Sequence, residues 1–292
     1  MTTADGTIPT DRPRAREARV VVGLGTMGAG MAVSLLRAGH RVLGVDPGPV
    51  PTPPGVERTT LPEALAEARV AVLSLPGTEQ VDLVMADVAG AREACLVIDA
   101  STCPPADTRR RADALAREGH VLVDAPVSGG ASGAREGALT AFLGCPEEHL
   151  GTVLDVLVPL TAHVAHVGGV GAGNTAKLMN NLLCGIHLAA ARSLHGVAAA
   201  SGVEAERLLA AINTASGRSG VTEVNLPRWV LSGTFDSGFP VGLMARDVAL
   251  AAEMTDELDA SSPLTAAAQE MWARLGEQIG PHEDFNRMVT AR

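Results

Sequence analysis

The chain has 292 residues, 46% hydrophobic and 19% charged, and this length and composition predict a sizeable core divided between two domains. Its 23 basic and 33 acidic residues give a net charge of -10, which argues against binding to nucleic acid or to an anionic membrane surface. Aromatic residues make up 2% of the chain and tyrosine is absent, which excludes a surface that stacks nucleic-acid bases.

The cysteines and the N-terminal stretch predict a cytoplasmic protein. Residues 1–18 are polar and lack the apolar run of a signal peptide, so they are predicted to be a disordered tail. Residues 178–200 come closest to a membrane-spanning segment, but polar residues such as Asn180 and Arg192 interrupt them. The four cysteines lack CxxC spacing and indicate neither a disulfide framework nor a zinc site; they are Cys95, Cys103, Cys145 and Cys184.

The first predicted elements form a dinucleotide-binding pattern. An apolar strand over residues 19–23 leads directly into Gly23-Leu24-Gly25-Thr26-Met27-Gly28, and a helix over residues 27–38 and a strand over residues 41–46 follow. In such a turn the first glycine permits the tight bend, the second lets the backbone approach the pyrophosphate, and the third lets helix and strand pack closely. The helix N-terminus then presents its positive dipole end to the phosphates. A glycine-rich turn alone is common, but in this context it predicts an NAD(P) site.

The residue that ends the second strand, Asp46, predicts which cofactor is used. It lies 18 residues after Gly28. A carboxylate at this place accepts hydrogen bonds from ribose hydroxyls and repels a 2′-phosphate. The loop that follows, residues 47–55, holds no arginine, and the next one along the chain is Arg58. NAD is therefore favoured over NADP.

Two further strand ends are candidates for the wall of the cofactor site. Strands are predicted over residues 70–75 and 96–100, and a helix follows each of them. Loops at the carboxyl ends of parallel strands line the crevice of such a sheet. Leu75-Pro76 and Ser101-Thr102 stand at these ends, so they either contact the cofactor or form ordinary strand-to-helix turns.

A loop rich in glycine and serine follows the strand that ends at Asp124. It contains Ser128-Gly129-Gly130 and Ser132-Gly133. Loops poor in side chains expose backbone N–H groups, which bind carboxylate or phosphate oxygens. We predict an anion-binding loop at this place in preference to a flexible turn.

Residues 171–181, GAGNTAKLMNN, open a long apolar run that predicts a long helix, and further helices are predicted after it. Lys177 and Asn181 are four residues apart, which places them about 40° apart on one helix face. A helix that is apolar nearly all round is buried, which puts Lys177 in a dry environment. A buried lysine is either part of a structural ion pair or a base with a lowered pKa, and its position alone favours neither. Arg218, in an irregular segment, is a candidate for contact with a substrate carboxylate, a partner subunit or a surface carboxylate.

Four stretches together resemble the β-hydroxyacid dehydrogenase family: GLGTMGAGMA (23–32), DAPVSGGASGAREGALT (124–140), GAGNTAKLMNN (171–181) and MARDVALA (244–251). The resemblance implies an α/β fold with a Rossmann-like dinucleotide-binding domain, residues 19–170. An all-helical substrate and oligomerisation domain, residues 171–292, would follow and be joined to it by the long helix. Family members usually form homodimers or homotetramers, and we expect the C-terminal half of the long helix to be buried between subunits.

The same resemblance implies roles for individual residues. Lys177 would be the catalytic residue, with Asn181 assisting in substrate binding. Ser128, Gly129 and Gly130 would hold the substrate carboxylate, and Ser101 and Thr102 would lie near the nicotinamide.

The sequence departs from the family pattern at two places. Many members carry Lys-Asp where this chain has Arg246-Asp247, so Arg246 is expected to keep a charged contact with the cofactor or the substrate in a different geometry. The phosphogluconate branch has histidine at the place of Asn180, which argues against a six-carbon phosphosugar as substrate.

Other enzyme classes fit the sequence less well. The absence of tyrosine excludes a Tyr-x-x-x-Lys reductase, and the scattered cysteines and histidines argue against a zinc alcohol dehydrogenase or any other metal site. An imine reductase on the same fold would be expected to lack Lys177, and a non-catalytic NAD-binding scaffold would not need it. The sequence therefore predicts an oxidoreductase that transfers a hydride between NAD and a small 3-hydroxyacid, or the matching semialdehyde, with Lys177 as general acid/base. The sequence does not indicate which group the substrate carries at C2.

Overall fold

The computed structural model describes residues 18–291, so all but the last residue of the predicted tail lies outside the described residues. Strands alternate with helices in the first half, as predicted. The strands are β1 Arg19–Val22, β2 Val42–Val45, β3 Glu57–Arg58, β4 Val70–Leu73, β5 Leu96–Asp99, β6 Val121–Asp124, β7 Val127–Ser128, β8 Leu139–Gly144 and β9 Thr161–Gly168. The helices among them are α1 Thr26–Arg37, α2 Leu61–Glu67, α3 Thr78–Ala89, α4 Pro105–Arg117, α5 Gly130–Glu136 and α6 Leu150–Leu157.

Within residues 18–291 these strands form a nine-stranded sheet in the order β3-β2-β1-β4-β5-β6-β8-β7, with β9 paired to β8. Strands β1 to β6 are parallel, and β8 runs antiparallel to β6. Successive strand residues point to opposite faces, and accordingly Val20 and Val21 belong to different hydrophobic clusters. Because helices cover both faces, the central strands are almost continuously apolar. The strand order reverses direction between β1 and β4, which opens a crevice at the carboxyl ends of these strands.

Two local structures in this half differ from the predictions. The short strand β3 and the helix α2 follow the proline-rich loop, where no element was predicted. A capping box in which Thr60 and Glu63 satisfy each other's backbone N–H groups begins α2. The prediction of a loop through Ser132-Gly133 is also wrong, because residues 130–136 form the helix α5. Packing of α5 against α1 explains a helix in a sequence whose glycines disfavour one.

The second half is helical, as predicted, and begins with the 30-residue helix α7, Ala172–Ser201. It continues with α8 Ala205–Asn213, a π-helical segment Val221–Leu231, α9 Val241–Glu257, α10 Pro263–Ile279 and a 3-10 turn Phe285–Val289. One hydrophobic cluster joins these elements around the fully buried Trp272. The α7 helix packs against β8 and α4 as well as against α9 and α10, so it connects the sheet to the helical cluster. The division of the chain at residue 170 stays a prediction.

The two halves of α7 differ in burial. Lys177 and Leu178 in the first half are buried, whereas in the second half Val197 is 59% exposed and Ala199 and Ala200 are exposed as well. The prediction that this helix is buried nearly all round therefore does not hold for a single chain. Among the described helices, α7 is the one long and apolar enough to cross a bilayer. Its first half carries the buried Lys177 and packs on the sheet, so this part of α7 belongs to the protein core.

Candidate active site

The turn between β1 and α1 has the shape that a dinucleotide phosphate needs. A Cβ atom added to Gly28 would lie 1.8 Å from the Gly23 carbonyl oxygen, so a side chain at Gly28 would separate helix from strand. At Gly25 the same construction meets no atom within 4 Å, and Gly25 and Thr26 are exposed. The first helical N–H groups have no intrahelical partner, and no side chain caps α1. Open space in front of free N–H groups fits a pyrophosphate.

Asp46 is tied to this turn. Its carboxylate accepts hydrogen bonds from the Leu24 N–H at 2.7 Å and from the Gly48 N–H at 2.8 Å. Arg58 is 12 residues further along the chain but lies close to Asp46 in the structure. Its guanidinium donates to the Asp46 carbonyl oxygen at 2.8 Å and to the Val50 carbonyl oxygen at 2.7 Å. A carboxylate and a guanidinium thus both lie where the ribose is expected.

The two predicted segments of the cofactor wall are joined by a hydrogen bond. The Leu75 N–H donates to the Ser101 hydroxyl oxygen at 3.0 Å, and the Ser101 N–H donates to the buried Asp99 carboxylate at 2.9 Å. Pro76 is exposed and Thr102 is half-buried at the same edge of the sheet. The structure therefore brings Leu75, Pro76, Ser101 and Thr102 together.

Lys177 and Asn181 lie on the buried face of α7, where they are 5% and 4% exposed. Burial lowers the pKa of the Lys177 ammonium below its ordinary value, while the Asp247 carboxylate opposes this shift and the Arg246 charge adds to it. The desolvation effect is the largest, so a neutral amine is more accessible at this position than on a surface lysine.

Asp247, which sequence reasoning did not select as a site residue, holds Asn181 in place. Its Oδ2 atom accepts a hydrogen bond from Asn181 Nδ2 at 2.7 Å. An ionised carboxylate only accepts, so this contact fixes which end of the Asn181 amide carries the nitrogen. Asn180 Nδ2 donates to Asn181 Oδ1 at 3.0 Å. The remaining N–H of the Asn181 amide is then available for a substrate oxygen.

Arg246 connects this group to the predicted cofactor wall. Its Nη2 and Nε atoms donate to Asp247 Oδ1 at 2.8 and 3.1 Å, and its Nη1 atom donates to the Pro76 carbonyl oxygen. Hydrogen bonds thus run from the loop after β4, through Arg246 and Asp247, to Asn181 beside Lys177.

The predicted anion-binding loop lies at the end of β7. Ser128 pairs with Thr140 of β8, and Gly129 and Gly130 both have positive φ values, of 125° and 64°. These conformations suit glycine and leave the backbone uncovered by side chains. The segment 235–239 lies against this loop, because a Cβ atom at Gly130 would be 3.5 Å from the Ser237 carbonyl oxygen.

The sequence does not indicate the contacts of two acidic residues that organise the site, Asp284 and Asp124. Asp284 accepts hydrogen bonds from the N–H and hydroxyl of Ser237 and so fixes the segment 235–239. The sequence indicates Asp124 only as the end of a strand, whereas in the structure its carboxylate contacts the N-terminus of α7. Arg218 is exposed on the surface. Among residues 18–291 no group of three or more His, Cys, Asp or Glu side chains is placed to hold a metal ion.

Comparison with known proteins agrees with this geometry. Residues 20–168 match the model of the NAD binding domain of 6-phosphogluconate dehydrogenase, and residues 171–291 match the NAD-binding domain of NADP-dependent 3-hydroxyisobutyrate dehydrogenase. A probable 3-hydroxyisobutyrate dehydrogenase from Mycobacterium bovis is 34% identical over 87% of this chain and 90% of its own length. The chain belongs to the β-hydroxyacid dehydrogenase family. It is therefore an oxidoreductase of hydroxyacids that uses a nicotinamide dinucleotide.

Other members of the β-hydroxyacid dehydrogenase family extend the comparison. A 2-(hydroxymethyl)glutarate dehydrogenase from Eubacterium barkeri is 32% identical over 92% of both chains. The solved structure of a Mycobacterium tuberculosis 3-hydroxyisobutyrate dehydrogenase with L-serine superposes with a TM-score of 0.86 at 32% identity, covering 94% of this chain and 98% of the other. The predicted family, fold class and general activity are thereby confirmed, while the roles of individual residues stay predictions.

Proposed function

We propose that the protein interconverts a small 3-hydroxyacid and the matching semialdehyde with NAD as cofactor, and that Lys177 is the general acid/base. The observation that carries this proposal is the buried Lys177 beside Asn181, connected through Asp247 and Arg246 to the wall of the dinucleotide crevice. A buried lysine in a structural ion pair would be expected to contact a carboxylate directly. Here the nearby carboxylate of Asp247 is engaged by Asn181 and Arg246.

Lys177 takes the hydroxyl proton in the oxidation and returns a proton to the carbonyl oxygen in the reduction. A bound nicotinamide dinucleotide would supply the hydride chemistry, as acceptor in the oxidation and as donor in the reduction. Proton transfer to Lys177 Nζ requires the neutral amine, and burial favours this form by lowering the pKa of the side chain. Asp247 limits the shift, which keeps the protonated form accessible for the reverse direction.

Ser128, Gly129 and Gly130 bind the substrate carboxylate through the serine hydroxyl and the backbone N–H groups. Asn181 donates its free N–H to a substrate oxygen next to the reacting carbon. These contacts place the hydroxyl group within reach of Lys177, and such positioning supplies much of the rate of enzymatic reactions. Ser101 and Thr102 lie beside the nicotinamide, at the carboxyl end of β5.

The cofactor preference rests on Asp46. Its carboxylate has lone pairs beyond those used by Leu24 and Gly48, and these accept the ribose hydroxyls. Arg58 is committed to backbone carbonyl oxygens of the loop and so supports the loop more than it offers a phosphate site. NAD is therefore the preferred cofactor and NADP the poorer one.

A homodimer or homotetramer in the cytoplasm is the form in which we expect the enzyme to act. The exposed apolar side chains on the second half of α7 would be covered by a second copy. The cysteines of the described chain are free thiols, which suits a reducing compartment.

The proposal is tested by a substrate panel followed through the absorbance of NADH. The panel contains 3-hydroxyisobutyrate, L-serine, 2-(hydroxymethyl)glutarate, short semialdehydes and a cyclic imine. Turnover of a 3-hydroxyacid that is lost in Lys177→Ala supports the proposal. Turnover of the imine alone would favour an imine reductase, and NADH binding without any turnover would favour a scaffold.

A further inference from the structure

We propose that Asp124 is a positioning residue, which holds the helix that carries Lys177 at a fixed place relative to the substrate loop. The inference rests on the proposed role of Lys177. Asp124 itself does not line the crevice; it acts through the first turn of α7.

Asp124 ends β6 and is completely buried. Its Oδ1 atom accepts a hydrogen bond from the Gly171 N–H at 2.7 Å, and its Oδ2 atom accepts one from the Asn174 N–H at 2.7 Å. Both donors belong to the N-terminus of α7, where helical N–H groups lack intrahelical partners and the dipole favours a negative charge. Each carboxylate oxygen thus fixes one point of the same helix turn.

Asn174 makes a second connection in the opposite direction. Its Oδ1 atom accepts a hydrogen bond from the Cys103 N–H at 3.0 Å, and its Nδ2 atom donates to the Thr108 hydroxyl at 3.1 Å. Cys103 directly follows Thr102 at the cofactor wall. The first turn of α7 is therefore attached both to the strand that leads into the substrate loop and to the segment beside the nicotinamide.

The backbones at this junction approach so closely that they leave no room for a side chain at two positions. A Cβ atom at Gly173 would lie 2.2 Å from the Phe142 carbonyl oxygen. A Cβ atom at Gly144 would lie 2.4 Å from Asp124 Oδ1 and 2.8 Å from the Gly173 nitrogen. Glycine at both places lets α7 begin directly on the ends of β6 and β8.

Asp124 is close in sequence to Ser128 of the substrate loop and close in space to the helix turn that precedes Lys177. Ser128 follows it by four residues, and Lys177 follows the Asn174 N–H by three residues, a rise of about 4.5 Å along the helix. The distance from the carboxylate-binding loop to the proposed base is therefore set through Asp124. A misplacement of about 1 Å in such an arrangement costs on the order of 100-fold in rate.

Stability alone does not account for an acid here. Burial raises the pKa of Asp124 to about 6, so the ionised carboxylate is unfavourable in this place despite the backbone N–H groups it binds. A neutral asparagine or serine also caps helices well. The carboxylate is distinguished by accepting hydrogen bonds at both oxygens and donating none.

The variants Asp124→Ala and Asp124→Asn test the inference in the full-length enzyme, with Val153→Ala as control. Val153 is buried in α6, which packs mainly against the 3-10 segments Glu147–His149 and Val158–Leu160, so its truncation is expected to lower stability with little effect on the position of α7. The measurements are kcat and KM for the hydroxyacid, the Kd of NADH by fluorescence, and Tm. Rates are expressed per NADH-binding site, so that unfolded protein does not enter the comparison.

We expect kcat to fall about 100-fold in Asp124→Ala and about tenfold in Asp124→Asn, which keeps one acceptor, while the Kd of NADH stays within about twofold. Asn174→Ala should behave like Asp124→Asn.

Normal kcat per site in Asp124→Asn and Asn174→Ala, with Tm lowered as in Val153→Ala, would overturn the inference and assign Asp124 a structural role only. If these variants are normal while Lys177→Ala is inactive, the positioning role fails and the proposed function stands. Full activity of Lys177→Ala would instead overturn the proposed function.

Discussion

Asn181 and Asp247 are 66 residues apart in the chain, yet their side chains form a 2.7 Å hydrogen bond between α7 and α9 beside the buried Lys177. The bond orients the Asn181 amide, and the same carboxylate opposes the effect of burial on the lysine. Asp247 is thus placed to influence both the geometry and the proton affinity of the proposed base.

Replacing Asp247 by asparagine separates these two influences. The asparagine Oδ1 atom still accepts from Asn181, but the negative charge that raises the pKa of Lys177 is gone. The lysine should then stay neutral to lower pH, so the acidic limb of the kcat/KM profile for alcohol oxidation should move to lower pH. An unchanged limb, or one that moves to higher pH, would contradict the electrostatic link.

The cofactor preference can be measured directly. We expect kcat/KM with NAD to exceed that with NADP by at least about tenfold, roughly 1.4 kcal/mol, because Asp46 repels a 2′-phosphate. Asp46→Ala should reduce this ratio. Equal or better use of NADP by the natural enzyme would contradict the role given to Asp46.

Arg58 provides the control for that measurement. If it only supports the loop, Arg58→Ala weakens both cofactors together. A selective loss of NADP in this variant would show that the guanidinium binds the phosphate.

The buried Asp99 predicts how stability depends on pH. Desolvation raises its pKa to about 6, whereas an unfolded aspartate titrates near about 3.9. Because the folded pKa lies above the unfolded one, protonated Asp99 stabilises the folded state. This contribution to the free energy of unfolding is roughly 3 kcal/mol below pH about 4 and is lost as the pH rises to about 6. Asp99→Asn keeps the acceptor for the Ser101 N–H and has no carboxyl group to ionise, so its stability should not fall in this pH range.

The Tm advantage of Asp99→Asn over the natural protein should therefore grow between pH about 4 and 6 and level off above. The effect of Val153→Ala should not vary with pH in this way. A Tm difference that is the same at pH 4 and pH 8 would refute the prediction.

The exposed apolar half of α7 predicts an oligomer. Light scattering on dilute protein should give a mass at least twice the 29.9 kDa of one chain. Val197→Asp, at a side chain that is 59% exposed on α7, should dissociate the oligomer. Leu83→Asp, at a 70% exposed side chain on α3, is the matched control and should leave the mass unchanged. A natural protein that is monomeric would contradict this prediction.

Much of the fold follows from local sequence patterns. The turn from Gly23 to Gly28, the apolar strands and the apolar run after Lys177 each specify their structure within a short window, and all were predicted. The helix α5 was missed because its glycines disfavour a helix in isolation, and packing against α1 overrides that preference. The π-helical segment at residues 221–231 was missed as well, and its Pro227 is a residue that sequence rules place outside helices.

The site was predictable where a residue acts alone and not where it acts through a partner. Lys177 and Asp46 stand out in their own segments, by burial and by position at a strand end. The roles of Asp247 and Asp124 depend on which elements pack together: their partners lie 66 and 47 to 50 residues away. Asp247 adjoins the conspicuous Arg246, and Asp124 opens a stretch shared with the family, but neither signal indicates what the carboxylate contacts.

The turnover of Lys177→Arg, measured beside Lys177→Ala, tests the central claim most directly. A positioned acid or base contributes about 10² to 10⁴ in rate, so Lys177→Ala should lose activity in that range while it still binds NADH and keeps its Tm. Arginine retains the charge but does not release its proton near neutral pH, so Lys177→Arg should be nearly as inactive. A folded Lys177→Arg enzyme with near-normal kcat would contradict the assignment of Lys177 as general base.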